Sequence, residues 1–127
     1  MRRYEPAPAV RSVVLHRGAH GDPTLDAQLL GNGDLRLLSI QRDGVWMYSE
    51  IDTIGWWTWH TVSHADLPRL VGEGGDVLEA VRAAVATGGE DETDDGKRIS
   101  GIIRRFVAWL GEHGVPYTQD SYDEHEP

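Results

Sequence analysis

From Leu25 to Ser63 apolar and polar residues alternate with the period of two that a half-buried strand requires, interrupted at Asn32-Gly33 and Asp43-Gly44. Both pairs accept positive φ at the two centres of a type I′ turn, so each predicts a two-residue hairpin loop. Loops of that length set Leu30 opposite Leu35, Ala27 opposite Leu38 and Leu25 opposite Ile40. After the second turn they set Ile40 opposite Met47, Leu38 opposite Ser49 and Gln41 opposite Trp46. One face then collects Leu25, Ala27, Leu29, Leu38, Ile40, Val45, Met47 and Ile51, which is the expected core face. The other collects Asp26, Gln28, Ser39, Gln41, Glu50 and Asp52 together with Leu30, Leu35, Leu37, Trp46 and Tyr48, too apolar for an ordinary solvent face. A slip of one residue in either turn exchanges the two faces.

The flanking segments complete the pattern. Val13-Val14-Leu15 predicts a short strand over residues 11–15, and Trp56 to Val62 is rich enough in β formers to be a fourth strand of the meander. Ser63-His64-Ala65-Asp66 is a loose capping box opening a short helix that stops at Gly72. Asp76, with Glu79 three residues on, opens a second helix that runs to Gly88. Lys97 to His113 is the third, with Ile99, Ile102, Phe106, Trp109 and Leu110 on one stripe and Gly114 as its stop. Residues 88–96 read as an acidic loop, and Val115 to Thr118 as a last edge strand, since Pro116 is tolerated only at an edge. The expected fold is α+β, an antiparallel meander sheet of about 4–6 strands with two to three helices packed on one face. The domain is expected over residues 11–118, between an extended arm at 1–10 and an acidic tail at 119–127.

Composition narrows the classes of function. The 127 residues suit one domain. The chain has no cysteine, so disulfides and thiolate chemistry are excluded and a zinc site would have only histidines and carboxylates to use. Formal net charge is −9, from 21 acidic and 12 basic residues, which argues against nucleic acid as a partner and fits a basic partner or no charged partner at all. No apolar run approaches the roughly 20 residues that span a bilayer, and no apolar segment follows Arg2-Arg3 as in a signal peptide. The expected location is cytoplasmic, with no membrane partner.

Asp66-Leu67-Pro68-Arg69-Leu70, after the aromatic strand Trp57-Thr58-Trp59-His60-Thr61-Val62 and before Trp109-Leu110-Gly111-Glu112-His113-Gly114-Val115-Pro116-Tyr117, resembles a pattern in small bacterial proteins of unknown function. The resemblance covers roughly residues 33–118 and implies a sheet followed by helices and a final strand. Its motifs are caps, core positions and a helix stop, so it implies no catalytic residue. The chain departs from the pattern in the arm before Asp26 and in the acidic insertion near Asp91. In size and acidity the chain is also similar to immunity proteins that inhibit toxins, an analogy that implies a basic protein partner.

Candidate chemistry is sparse. His60 and His64 are four residues apart, with Asp66 nearby, and make the metal or hydrolase alternative. That spacing joins two imidazoles only on a helix, whereas His60 lies on a predicted strand. Ser63 beside His64 has a capping role to fill before any nucleophilic one. Gly31-Asn32-Gly33 and Gly72-Glu73-Gly74-Gly75 lack the lysine and spacing of a phosphate loop, so no cofactor is expected. The tryptophans are more informative. Leu35, Leu37, Trp46, Tyr48 and Trp56, rimmed by Glu50 and Asp52, have the composition of a protein interface. The reading that follows is a non-enzymatic interaction domain of the acidic immunity or inhibitor type. A homodimer covering the same face is the self-association alternative, and a sugar or small ligand stacked on the indoles is the other binding alternative.

Overall fold

The computed structural model describes residues 8–18, 23–42, 53–72, 74–86 and 95–125. Five strands, β1 (Ala9–Arg17), β2 (Thr24–Leu30), β3 (Leu35–Arg42), β4 (Thr53–Val62) and β5 (Thr118–His125), lie side by side in sequence order, every neighbouring pair antiparallel. A 3-10 helix (His64–Arg69) and two α-helices, α1 (Val77–Val85) and α2 (Asp95–Glu112), occupy the connection from β4 to β5. The α+β meander is thus present, with helices on one face.

The first hairpin differs from the two-residue loop expected. Leu30 N–H donates to Asp34 O and Gly33 N–H to Leu30 O, both at 2.9 Å, enclosing the three residues Gly31, Asn32 and Gly33. Only Gly33 is left-handed, at φ +93°, and Asn32 is not; this is a turn closed by a glycine bulge rather than a type I′ turn. Asn32 is occupied otherwise, accepting the Asp34 N–H on Oδ1 at 3.0 Å. The extra residue sets Leu29 opposite Leu35 and Ala27 opposite Leu37. Leu35 and Leu37, expected on the outer face, therefore join Leu25 and Ala27 under the helices, while Leu38 and Ile40 turn outward. The change gathers the apolar residues of β2 and the start of β3 on one side, where each buried leucine contributes about 2 kcal/mol.

The second expected pairing is also replaced. Ile40, Leu38 and Gln41 lie opposite Trp57, Trp59 and Trp56 of β4, not opposite Met47, Ser49 and Trp46. With β2 on its other side, β3 has no edge left for the 45–51 segment, which lies outside the described residues together with Asp43-Gly44. At the C-terminus, β5 begins where the expected edge strand was to end. The polar stretch expected as a tail pairs with β4 through His125, and Val115 to Tyr117 form the connection before it. An edge position, with half its backbone facing solvent, suits so polar a strand. At the other end β1 already includes Ala9 and Val10, which were expected in the arm.

The helices follow their predicted caps. Asp76 Oδ1 accepts from Leu78 N–H at 3.0 Å, and α1 buries Val77, Leu78, Val81 and Val85. On α2 the stripe Ile99, Ile102, Phe106 and Leu110 is buried in the same core. Gly114, at φ +65°, ends α2 and lets Val115 N–H return to Leu110 O at 2.9 Å, so the two buried side chains at this stop belong to the core. Ser63 caps the first segment, accepting from Ala65 N–H at 3.3 Å, but the segment is a 3-10 helix with Pro68 inside it rather than an α-helix. Among the described residues no helix is long and apolar enough to cross a membrane.

Gly33→Ala is expected to destabilise the domain by about 1–2 kcal/mol, because the left-handed conformation crowds a Cβ. Its Cβ would also stand 3.2 Å from that of His64. A Cβ at Gly31 meets nothing within 4 Å, so Gly31→Ala is expected to stay within about 0.5 kcal/mol of wild type. Urea unfolding of both variants checks the loop geometry; equal midpoints would contradict it.

Candidate functional site

The expected interface residues separate on the structure. Leu35 and Leu37 are 0% and 1% exposed in the core. Trp46, Tyr48, Glu50 and Asp52 lie outside the described residues. Trp56 is placed in β4 between Gln41 and Asp123. On the outer face, rows of cross-strand neighbours run Asp26–Leu38–Trp59–Asp120 and Thr24–Ile40–Trp57–Tyr122. Trp57 and Leu38 are buried there and Trp59 is half-buried. Asp26 sits among them with Oδ1 buried and without a hydrogen-bond partner among the described residues. Burial raises its pKa, against a smaller lowering by the charge of Arg17.

The three metal candidates do not converge. His60 is 4% exposed on the helix side of β4, between Leu37 and Gln119, with the Tyr117 ring 5.5 Å away. Its Nδ1 has no hydrogen-bond partner among the described residues, and burial lowers its pKa below 6.5. His64 is exposed in the 3-10 helix, and Asp66 lies 4.0 Å from Arg69. Among the described residues no three histidines or carboxylates form a metal-ligating group.

His64 instead pairs with Asp34. Its backbone N–H donates to Asp34 Oδ1 at 2.8 Å and its Nδ1 lies 3.0 Å from the same oxygen. Burial alone would raise the Asp34 pKa, but the hydrogen bonds from His64 and Asn32 and the attraction of His64 together bring it below 3.8. A carboxylate accepts only, so Nδ1 carries the proton and Nε2 is the acceptor of the neutral ring. This is the orienting half of a catalytic triad, but Ser63 beside it is an N-cap whose Oγ already accepts the Ala65 N–H.

His64 of this pair lines an open groove of about 750 Å³, between the β2–β3 hairpin and the chain from the 3-10 helix to α1. Leu29, Leu30, Leu67, Val71 and Val77 supply apolar lining, and glycines on both walls bring backbone to the surface. Arg11 and Asp76 also line the groove, and the Arg11 guanidinium donates to Asp76 Oδ2 at 2.8 Å. Val10 also lines the groove and is 67% exposed, because a bulge between Ala9 and Arg11 leaves it without a cross-strand partner. Neither ion pair is visible in the sequence, since each joins residues 30 or more apart. The only local signal is Asp34 directly after a glycine turn.

A third feature is the outer edge of β5, which has no neighbouring strand among the described residues. Its sequence holds Asp120, Asp123 and Glu124, and Thr118 to Ser121 are exposed. Asp120 lies opposite Trp59 on the outer face. No protein-family model, curated protein or solved structure matches the chain.

The His60 environment sets a pH response. A histidine whose pKa is lowered by folding contributes full stability above its unfolded value of 6.5 and loses it as pH falls below that value. The wild type is expected to lose urea resistance between pH 7.5 and about pH 5. His60→Leu is expected to lose distinctly less over the same range. An equal loss in both proteins would place the acid response elsewhere.

Proposed function

We propose that the chain is a non-enzymatic protein-interaction domain, an acidic inhibitor or immunity-type protein of bacterial cytoplasm, that engages a basic partner. The observation that carries this reading is β5, paired among the described strands with β4 alone, whose sequence holds three acids, one of which, Asp120, lies opposite the outer-face tryptophan Trp59. An open edge offers backbone donors and acceptors to an extended segment, and acids on it select a basic one. The net charge of −9 speeds the encounter at low salt.

The competing hydrolase reading, centred on His60, His64 and Asp66, has less support because His60 is enclosed on the sheet while His64 is committed to Asp34. A sugar stacked on the tryptophan cluster needs an open indole face, and Trp57 is only 8% exposed.

A peptide of alternating arginine and threonine is a suitable probe. The double variant Asp120→Lys, Glu124→Lys is expected to weaken its binding about tenfold in low salt. The control Glu79→Lys, Glu112→Lys changes net charge equally on exposed helix positions and is expected to weaken it less than about threefold. Equal losses in the two variants would leave only the general field of the protein and remove the strand-edge reading.

A further inference from the structure

We propose that the groove between the β2–β3 hairpin and the 3-10 helix is a binding site for a small molecule with an apolar body and one hydrogen-bond-donating head, a primary amine in preference to an alcohol. The site is separate from the β5 edge and does not depend on it.

Size and lining define the body. The groove of about 750 Å³ lies within the ~300–1,000 Å³ typical of small-ligand sites. Leu29, Leu30, Leu67 and Val71 line it, and Val10 turns into it from a bulge while remaining largely exposed. An apolar side chain held open to water gains from being covered.

The polar groups define the head. Arg11 is neutralised by Asp76, and Asp34 is engaged by the His64 N–H, the His64 ring and the Asn32 amide. Asp34 holds a proton on His64 Nδ1, so in the neutral ring the nitrogen left to meet a ligand is Nε2, an acceptor. It calls for an N–H or O–H. Arg11, Asp76 and Asp34 together carry one excess negative charge, in a protein of net −9. That field favours an ammonium over a neutral hydroxyl and disfavours a carboxylate.

The test uses 4-phenylbutylamine, 4-phenylbutanol and 4-phenylbutyrate, one body with three heads, titrated into the full chain at pH 7.5 with amide NMR as the readout. The expected result is saturable shifts at Leu30, Gly33, His64 and Gly72, tightest for the amine, with the carboxylate at least about tenfold weaker. His64→Phe, which removes the Nε2 acceptor, is expected to weaken the alcohol by about tenfold. Gly72→Leu, whose Cβ meets nothing within 4 Å, is expected to block all three probes while leaving the fold intact. Equal or tighter binding of the carboxylate, absence of saturable shifts for every probe, or alcohol binding unchanged by His64→Phe would each overturn the proposal.

Discussion

Gly33, at φ +93°, decides which way every side chain of β3 faces. A loop one residue shorter would turn Leu35 and Leu37 away from the helices and bring Leu38 and Ile40 beneath them. The same glycine makes room for its neighbour. His64 Cβ approaches the place where a residue-33 Cβ would stand, and from there its backbone and ring both reach Asp34. The hairpin tip thereby holds the start of the 3-10 helix, and the 3-10 helix supplies one wall of the groove. Sheet register, connection path and candidate ligand site share one backbone conformation.

The order of elements has a second consequence. Among the described residues every helix is inserted between β4 and β5, so the final strand returns to the sheet only after α2 has stopped. The stop is well made, with the Gly114 reversal and Leu110 and Val115 buried in the core. Arg69 adds a tie, donating to Gly114 O at 2.9 Å across 45 residues of sequence. β5 is thus delivered to the edge of β4 by this corner; its outer edge has no neighbour among the described strands, and residues 118–121 are exposed. A strand so placed is a surface rather than part of the core.

Local chemistry was legible where it was also sufficient. Asp76 caps α1 as its sequence implies, the Ile99–Leu110 stripe buries as its period implies, and Gly114 stops α2. The register of β3 was not legible, because Asn-Gly serves both a two-residue turn and a glycine bulge, and only packing against α1 and α2 selects between them. The partner of β3 was hidden for a related reason: Asp43-Gly44 reads as a tight turn, but the nearest alternating segment is not the one β3 pairs with. Polarity misled at β5, since acidic residues deplete strands on average yet are at home on an edge. The groove could not be foreseen at all, being built from residues near 10, 30, 65 and 75 that the fold alone brings together.

The two sheet edges bear on what the protein can associate with. β1 is interrupted twice, at Val10 and at Leu15, where an extra residue breaks its pairing with β2. Such bulges make an edge a poor template for another strand. β5 lacks an interruption along Gly55–Thr61, so it is the better template of the two. Joining two β5 edges in a symmetric dimer would bring Asp120, Asp123 and Glu124 of one copy against the same acids of the other. Like charges facing across a strand pair are destabilising, and no arginine or lysine lies within β5 to offset them. Among the described strands β5 is therefore the more open edge, and like charge opposes its pairing with a second copy.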